Sequence, residues 1–196
     1  TVERLSGQLI HTAANNVILV GPPGSGKTST GQLLAERLGW AFADTDRLIE
    51  QRVGSSVSEI FANRGEQPFR ALETELLRDL AGDTTTHSVL ATGGGIIITP
   101  GNFALMEKIG IVVGLLASLE TLIERLQSDR TRPLLARVQA PGETVTSAQE
   151  QLQTKLGNLL ESRAGHYALP SHTVKTDGLT PDQVADSVYR LICNAK

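Results

Sequence analysis

The 196-residue sequence contains a single cysteine, Cys193, so no disulfide can form within the chain and a fold held by covalent staples is excluded. No apolar run approaches the ~18 residues that a membrane-spanning helix needs, and no charged-then-apolar opening resembles a secretory signal. There is no basic excess either: 18 Lys and Arg stand against 21 Asp and Glu, a net charge of −3. Nucleic acid is therefore not expected as the main partner, because a phosphate backbone requires a strongly basic surface. Internal repeats and low-complexity stretches are also lacking. These features fit a cytoplasmic protein that gathers its cations locally, so the position of each arginine carries more information than their total. The start at Thr1 leaves open a segment removed before it.

The chain is long enough for one domain with a substantial core. Residues 1–15 read as a lead-in of loosely helical spacing with no assigned role, and residues 16–196 as one domain. Val17–Val20 is an unbroken apolar run, the mark of a strand covered on both faces. A helix is expected from Lys27 to Leu38, stopped by Gly39. Strands follow at 40–43, 88–91, 111–116 and 172–175. Further helices are expected at 44–53, 67–80, 119–127, about 148–163 and 181–192. This alternation implies an α/β, three-layer fold with a parallel sheet flanked by helices. The mixed-charge stretch around Pro133, Pro141 and Gly142 reads as a mobile lid over about 128–146.

Gly21-Pro22-Pro23-Gly24-Ser25-Gly26-Lys27-Thr28 matches G-x-x-x-x-G-K-[ST] between an expected strand and an expected helix, the context this motif requires. Its glycines let successive backbone N–H groups turn inward on phosphate oxygens, and the helix that follows adds its positive end. Lys27 can reach the β- and γ-phosphates, and the Thr28 hydroxyl can ligate Mg²⁺. Nucleotide binding follows, with Gly24, Ser25, Gly26, Lys27, Thr28 and Ser29 as candidate contacts. The loop leaves the phosphoryl acceptor open, since many nucleotide enzymes share it.

Asp44-Thr45-Asp46 closes the second expected strand, where the carboxyl ends of a parallel sheet line the ligand crevice. Strand alternation would send both carboxylates the same way. One could hold Mg²⁺ through water and the other accept a proton from an attacking hydroxyl. The plainer reading makes Asp44 a helix cap. Arg70 and Glu73 on the helix that begins near Phe69 are either a surface ion pair or a guanidinium clamp steadied by a carboxylate. Three glycines in Thr92-Gly93-Gly94-Gly95 suit a backbone wall that a ligand approaches closely.

Together with Arg132-Pro133-Leu134-Leu135 and Arg163 followed by Tyr167, these motifs closely resemble the shikimate kinase family in order and spacing over about residues 16–190. The resemblance implies a nucleoside-monophosphate-kinase type of fold with a five-stranded parallel sheet. It also implies transfer of the γ-phosphoryl of Mg·ATP to the 3-hydroxyl of shikimate. By that resemblance Asp46 binds substrate hydroxyls and acts as base, while Asp44 and Thr28 serve Mg²⁺. Arg70 and Arg163 grip the substrate carboxylate with Gly94, Gly95 and Glu73. Arg125 stacks on adenine, Lys27 and Arg132 meet the transferring phosphate, and a monomer is expected. The chain departs from the family pattern in a longer stretch between Leu135 and Arg163, and in Ala168-Leu169-Pro170-Ser171 after Tyr167. Pro181 could flank adenine or simply start a helix. Two other readings stand beside this one. A gluconate-type kinase would show Asp-Gly-Asp and a nearby His, where this chain has Arg47-Leu48-Ile49 after Asp46. A ligand-sensing domain without turnover would tend to erode the Asp pair or the lid arginine, and both are intact.

Overall fold

The computed structural model describes residues 16–82, 87–128 and 145–194. Five strands form one sheet: β1 (Asn16–Val20), β2 (Ala41–Asp44), β3 (Ser88–Ala91), β4 (Ile111–Leu116) and β5 (His172–Lys175). Their order is β2-β3-β1-β4-β5 and every pairing is parallel. The register puts Leu19, Ala91 and Asp44 at one level, because Ala91 pairs with Leu19 on one side and with Asp44 on the other. The loops that leave β1, β2 and β3 therefore emerge side by side, with β3 between the other two, and this places the site.

Alternation along β1 explains the two main core layers. Val17 and Leu19 face Leu34 and Ala35 of α1 (Lys27–Leu38) and Val184, Val188 and Ile192 of α8 (Pro181–Asn194). Ile18 and Val20 face the other way, onto Leu77 of α4 (Glu66–Gly82), Met106 and Ile109 of α5 (Asn102–Ile109), and Tyr167. Each such fully buried aliphatic side chain contributes about 1.5–3 kcal/mol through removal from water. Two smaller cores sit beside these layers. Ile49 of α2 (Thr45–Val53), Ile60 of α3 (Val57–Arg64), Phe69 and Leu76 form one. Leu122 and Leu126 of α6 (Leu119–Ser128) with Leu156 of α7 (Val145–Tyr167) form the other.

Three of the five expected strands match the structure residue for residue. The second lies one residue later, at Ala41–Asp44, because Asp44 still pairs with Ala91. Two helices, α3 and α5, and a short 3₁₀ turn at Ile96–Ile98 lie where no element is expected from the sequence. Helix α3 begins with a reciprocal cap, in which Glu59 N donates to Ser56 Oγ and Ser56 N to the Glu59 carboxylate. The lead-in 1–15, Arg132 and nearly all of the expected lid lie outside the described residues. No helix among the described residues is long and apolar enough to cross a membrane.

Candidate active site

The phosphate loop leaves β1 through Gly21, Gly24 and Gly26, all at positive φ, and Gly26 at φ 90° caps α1. A side chain at Gly24 would lie 3.1 Å from Leu126, so α6 packs directly on the loop. Lys27 is largely buried, and its ammonium donates to the carbonyls of Gly21 and Pro22 at 2.9 Å each. The cation is thereby held against the loop.

Asp44 is the helix cap of its plainer reading, and it also meets Thr28. Its Oδ1 accepts from Asp46 N at 3.1 Å as the cap of α2, and its Oδ2 accepts from the Thr28 hydroxyl at 3.1 Å. Asp46 does not lie on the strand, as alternation predicts; it sits in the first turn of α2. The cap turns the chain so that both carboxylates still line one cavity with Lys27, Thr28 and Gly93. Burial foremost, and the Asp44 charge next, push the Asp46 carboxyl up to about 6, against the pull of Lys27. The oxygen set of Thr28 and Asp44 suits Mg²⁺, which takes one or two protein oxygens and fills its shell with water and phosphate. Among the described residues no larger cluster of His, Cys, Asp and Glu is placed to hold a metal.

The glycine wall after β3 is fixed by side chains from distant segments. Gly93 N donates to the buried Thr45 hydroxyl at 3.0 Å. The Gly94 carbonyl accepts from the Tyr167 hydroxyl at 2.8 Å and from Arg163 Nη1 at 3.2 Å. A Cβ on Gly93 would come 2.6 Å from Asp46 Oδ1 and 3.2 Å from Glu73 Oε1, and one on Gly95 would strike the Arg70 guanidinium. The absence of side chains here lets three functional groups reach the wall.

Arg70 and Glu73 are not a surface pair. Glu73 is fully buried, and Arg70 Nη1 donates to its Oε2 at 2.8 Å. Arg70 Nε and Nη2 donate to Glu66 Oε1 at 3.1 and 2.9 Å. Burial opposes the Arg70 cation, yet Glu73 and Glu66 outweigh it and raise its pKa. Glu73 is itself pushed up, because burial exceeds the help Arg70 gives its carboxylate. These bonds engage three of the five guanidinium N–H groups, so a planar anion can still be received.

A second cavity of about 330 Å³ is lined by Gly24, Ser25, Gly26, Ser29, Arg125 and Pro181. Arg125 donates to the Thr176 hydroxyl at 2.9 Å and to the Thr176 carbonyl at 2.6 Å, which fixes its guanidinium at the cavity edge. Pro181 starts α8, and it also lines this cavity. Three buried side-chain oxygens lack a hydrogen-bond partner among the described residues: Ser25 Oγ, Asp46 Oδ1 and Glu73 Oε1. All three border the phosphate loop or the glycine wall, and unmet buried polar atoms are the mark of a site built for a ligand.

The structure thus gathers the phosphate-loop residues, Asp44, Asp46, Gly94 and Arg125 around two cavities that share Gly24 and Gly26, with Arg70, Glu73, Gly95 and Arg163 at the glycine wall beside them. Glu66, Thr45, Tyr167 and Thr176 hold the site as well, without a role read from the sequence. Glu66 stands four residues before Arg70, a helical spacing that was available to find it. Thr45 and Thr176 offered no such local signal.

Comparison with known proteins agrees with this geometry. The sequence model described as shikimate kinase matches residues 23–193. The shikimate kinase of Geobacter sulfurreducens is 42% identical over 90% of this chain and 90% of its own. That of Thermosynechococcus vestitus is 41% identical over 97% of this chain and 92% of its own. A solved structure of the Acinetobacter baumannii shikimate kinase in complex with shikimate superposes with a TM-score of 0.80, at 35% identity, covering 94% of this chain and 96% of the other. The chain belongs to the shikimate kinase family of ATP-dependent small-molecule kinases.

Proposed function

We propose that the protein transfers the γ-phosphoryl group of ATP to the 3-hydroxyl of shikimate, with Mg²⁺ as cofactor. The observation that carries this reading is the arrangement around Gly94. On one side lies the phosphate loop, with Pro23 3.1 Å from where a Gly94 side chain would begin. On the other lie the Arg163 and Arg70 guanidinium groups, at Gly94 and Gly95. A small molecule bearing a carboxylate at one end and a hydroxyl at the other can span that distance, with its hydroxyl at Asp46.

Each side chain then has a distinct task. Arg70 and Arg163 hold the carboxylate, and Glu66 and Glu73 hold Arg70 in place. Asp46 orients the attacking hydroxyl and accepts its proton, a role helped by a carboxyl whose pKa is raised toward neutrality. Thr28 and Asp44 would hold Mg²⁺, which when bound neutralises charge on the phosphate oxygens. Lys27 supplies positive charge at the phosphates, and Arg132 is assigned a similar part. Arg125 and Pro181 border the space for the adenine ring. Because every assigned residue comes from one chain, a monomer suffices, and we place it in the cytoplasm with its soluble substrates.

The test is ADP release from Mg·ATP with and without shikimate, with gluconate as control acceptor. Release that depends on shikimate is expected. Equal release with gluconate, or ATP binding without release, would overturn the assignment in favour of a gluconate-type kinase or a sensing domain respectively.

A further inference from the structure

Asn102 is fully buried at the start of α5, yet it carries an amide where the surrounding core is apolar. Its Nδ2 donates to the Ile96 carbonyl at 2.9 Å, and its backbone N–H donates to the Thr99 carbonyl at 3.1 Å. Its Oδ1 accepts from the Thr74 hydroxyl at 2.9 Å. The same hydroxyl lies 3.0 Å from the carbonyl of Arg70, one helical turn earlier on α4. The Ile96 carbonyl settles the amide orientation, because it can only accept and so must face the NH₂ side.

We infer that Asn102 and Thr74 are positioning residues for substrate binding, a strut that sets the gap between Arg70 and the glycine wall. The contacts run from Thr74, one turn after Arg70 on α4, through Asn102 to Ile96, whose neighbour Gly95 lies against the Arg70 guanidinium. Helix α4 and the turn after β3 are separate elements with strand β3 between them in sequence, so contacts between their side chains and backbone bear on their spacing. A leucine would fill the space at 102 but leave the Ile96 carbonyl without its donor, so Asn102→Leu costs stability in any case and the KM values carry the test. What the amide adds is a fixed distance, of the kind a two-point grip on a planar carboxylate requires. The strut reaches neither the phosphate loop nor the Arg125 cavity, so its effect is confined to the acceptor side.

The inference rests on shikimate as the acceptor, and the experiment separates the two. Steady-state constants for shikimate and for ATP are measured in wild type, Asn102→Leu, Thr74→Val and Thr74→Ser, each with its melting temperature. Asn102→Leu is expected to raise KM for shikimate about tenfold, and Thr74→Val about threefold, with KM for ATP changed less than about twofold in both. Thr74→Ser keeps the hydroxyl and should behave as wild type. A merely structural role would instead lower the melting temperature and the active fraction while leaving both KM values in place. That pattern, or a KM for shikimate within about twofold of wild type in Thr74→Val and Asn102→Leu, overturns the strut. If Asn102→Leu does not fold, the comparison of Thr74→Val with Thr74→Ser decides alone. A wild type without shikimate turnover overturns the acceptor reading and the strut with it.

Discussion

The proposed phosphate side and the proposed acceptor side of this site are built on opposite plans. On the phosphate side, eight consecutive residues from Gly21 to Thr28 make the cradle with their own backbone, and Lys27 bonds to carbonyls five and six residues away. On the acceptor side no segment is sufficient. Asp46 comes from α2, Arg70 and Glu73 from α4, the glycine wall from the end of β3, and Arg163 and Tyr167 from α7. A contiguous loop recognises a feature common to all nucleotides. A wall assembled from four elements can discriminate one small acceptor, because each element contributes a separate positional constraint.

The largest effect that would break this comparison is at Asp46, where the two sides meet. Asp46→Asn keeps the size of the side chain but cannot take a proton, and is expected to reduce kcat by about two to four orders of magnitude. Binding of ATP, followed by calorimetry, should change little; near-wild-type turnover would remove Asp46 from its role as base. Next come the arginines, whose exchange sharpens the contrast. Arg70→Ala is expected to raise KM for shikimate by about 30- to 300-fold with KM for ATP nearly constant, since a desolvated charged contact is worth about 2–3 kcal/mol. Arg125→Ala should do the reverse at a smaller scale, about three- to tenfold on ATP alone. If either substitution affected both substrates equally, the two cavities would not be separate recognition units. Gly95→Ala is smaller again, about three- to tenfold on KM for shikimate, because a methyl group there displaces the Arg70 guanidinium and a long side chain can partly yield.

The same contrast decides what could be read from the sequence. The Walker loop is legible because its function lies in local backbone geometry, and Val17–Val20 because an unbroken apolar run has few other uses. The Asp pair was legible as residues but not as geometry. Asp46 reaches the cavity through a cap made by Asp44, not through strand alternation. The ion pair of Arg70 and Glu73 could have been a surface pair, and only the burial of Glu73 decides otherwise. Helix α3 was announced by Ser56-Val57-Ser58-Glu59, whose capping spacing is local, and so could have been found. The bonds of Thr45 to Gly93, Tyr167 to Gly94 and Thr176 to Arg125 cross 48, 73 and 51 residues of chain, and no periodicity reports such contacts.

The smallest expected effect tests whether the site is held at the expense of the fold. Asp46 in the ligand-free protein is raised from 3.8 to about 6, chiefly by burial. Between those values the folded protein binds the proton more tightly than the unfolded chain does. Stability therefore falls as pH rises through this window, and the deficit is complete above about 6. An amide in place of this carboxylate carries no charge to desolvate. The Asp46→Asn variant should therefore be the more stable protein above pH 6, by about 1–2 kcal/mol after allowance for the open edge of the site. Its advantage should shrink as pH falls and vanish below about pH 4, where Asp46 becomes protonated in both states. Melting temperatures of the two proteins from about pH 3.5 to pH 8 measure this directly, and about 1 kcal/mol corresponds to a shift of roughly 2–4 °C in a chain of this size. Parallel curves across the range would mean that water reaches Asp46 freely, and that the acceptor side, like the phosphate side, is assembled without opposing the stability of the fold.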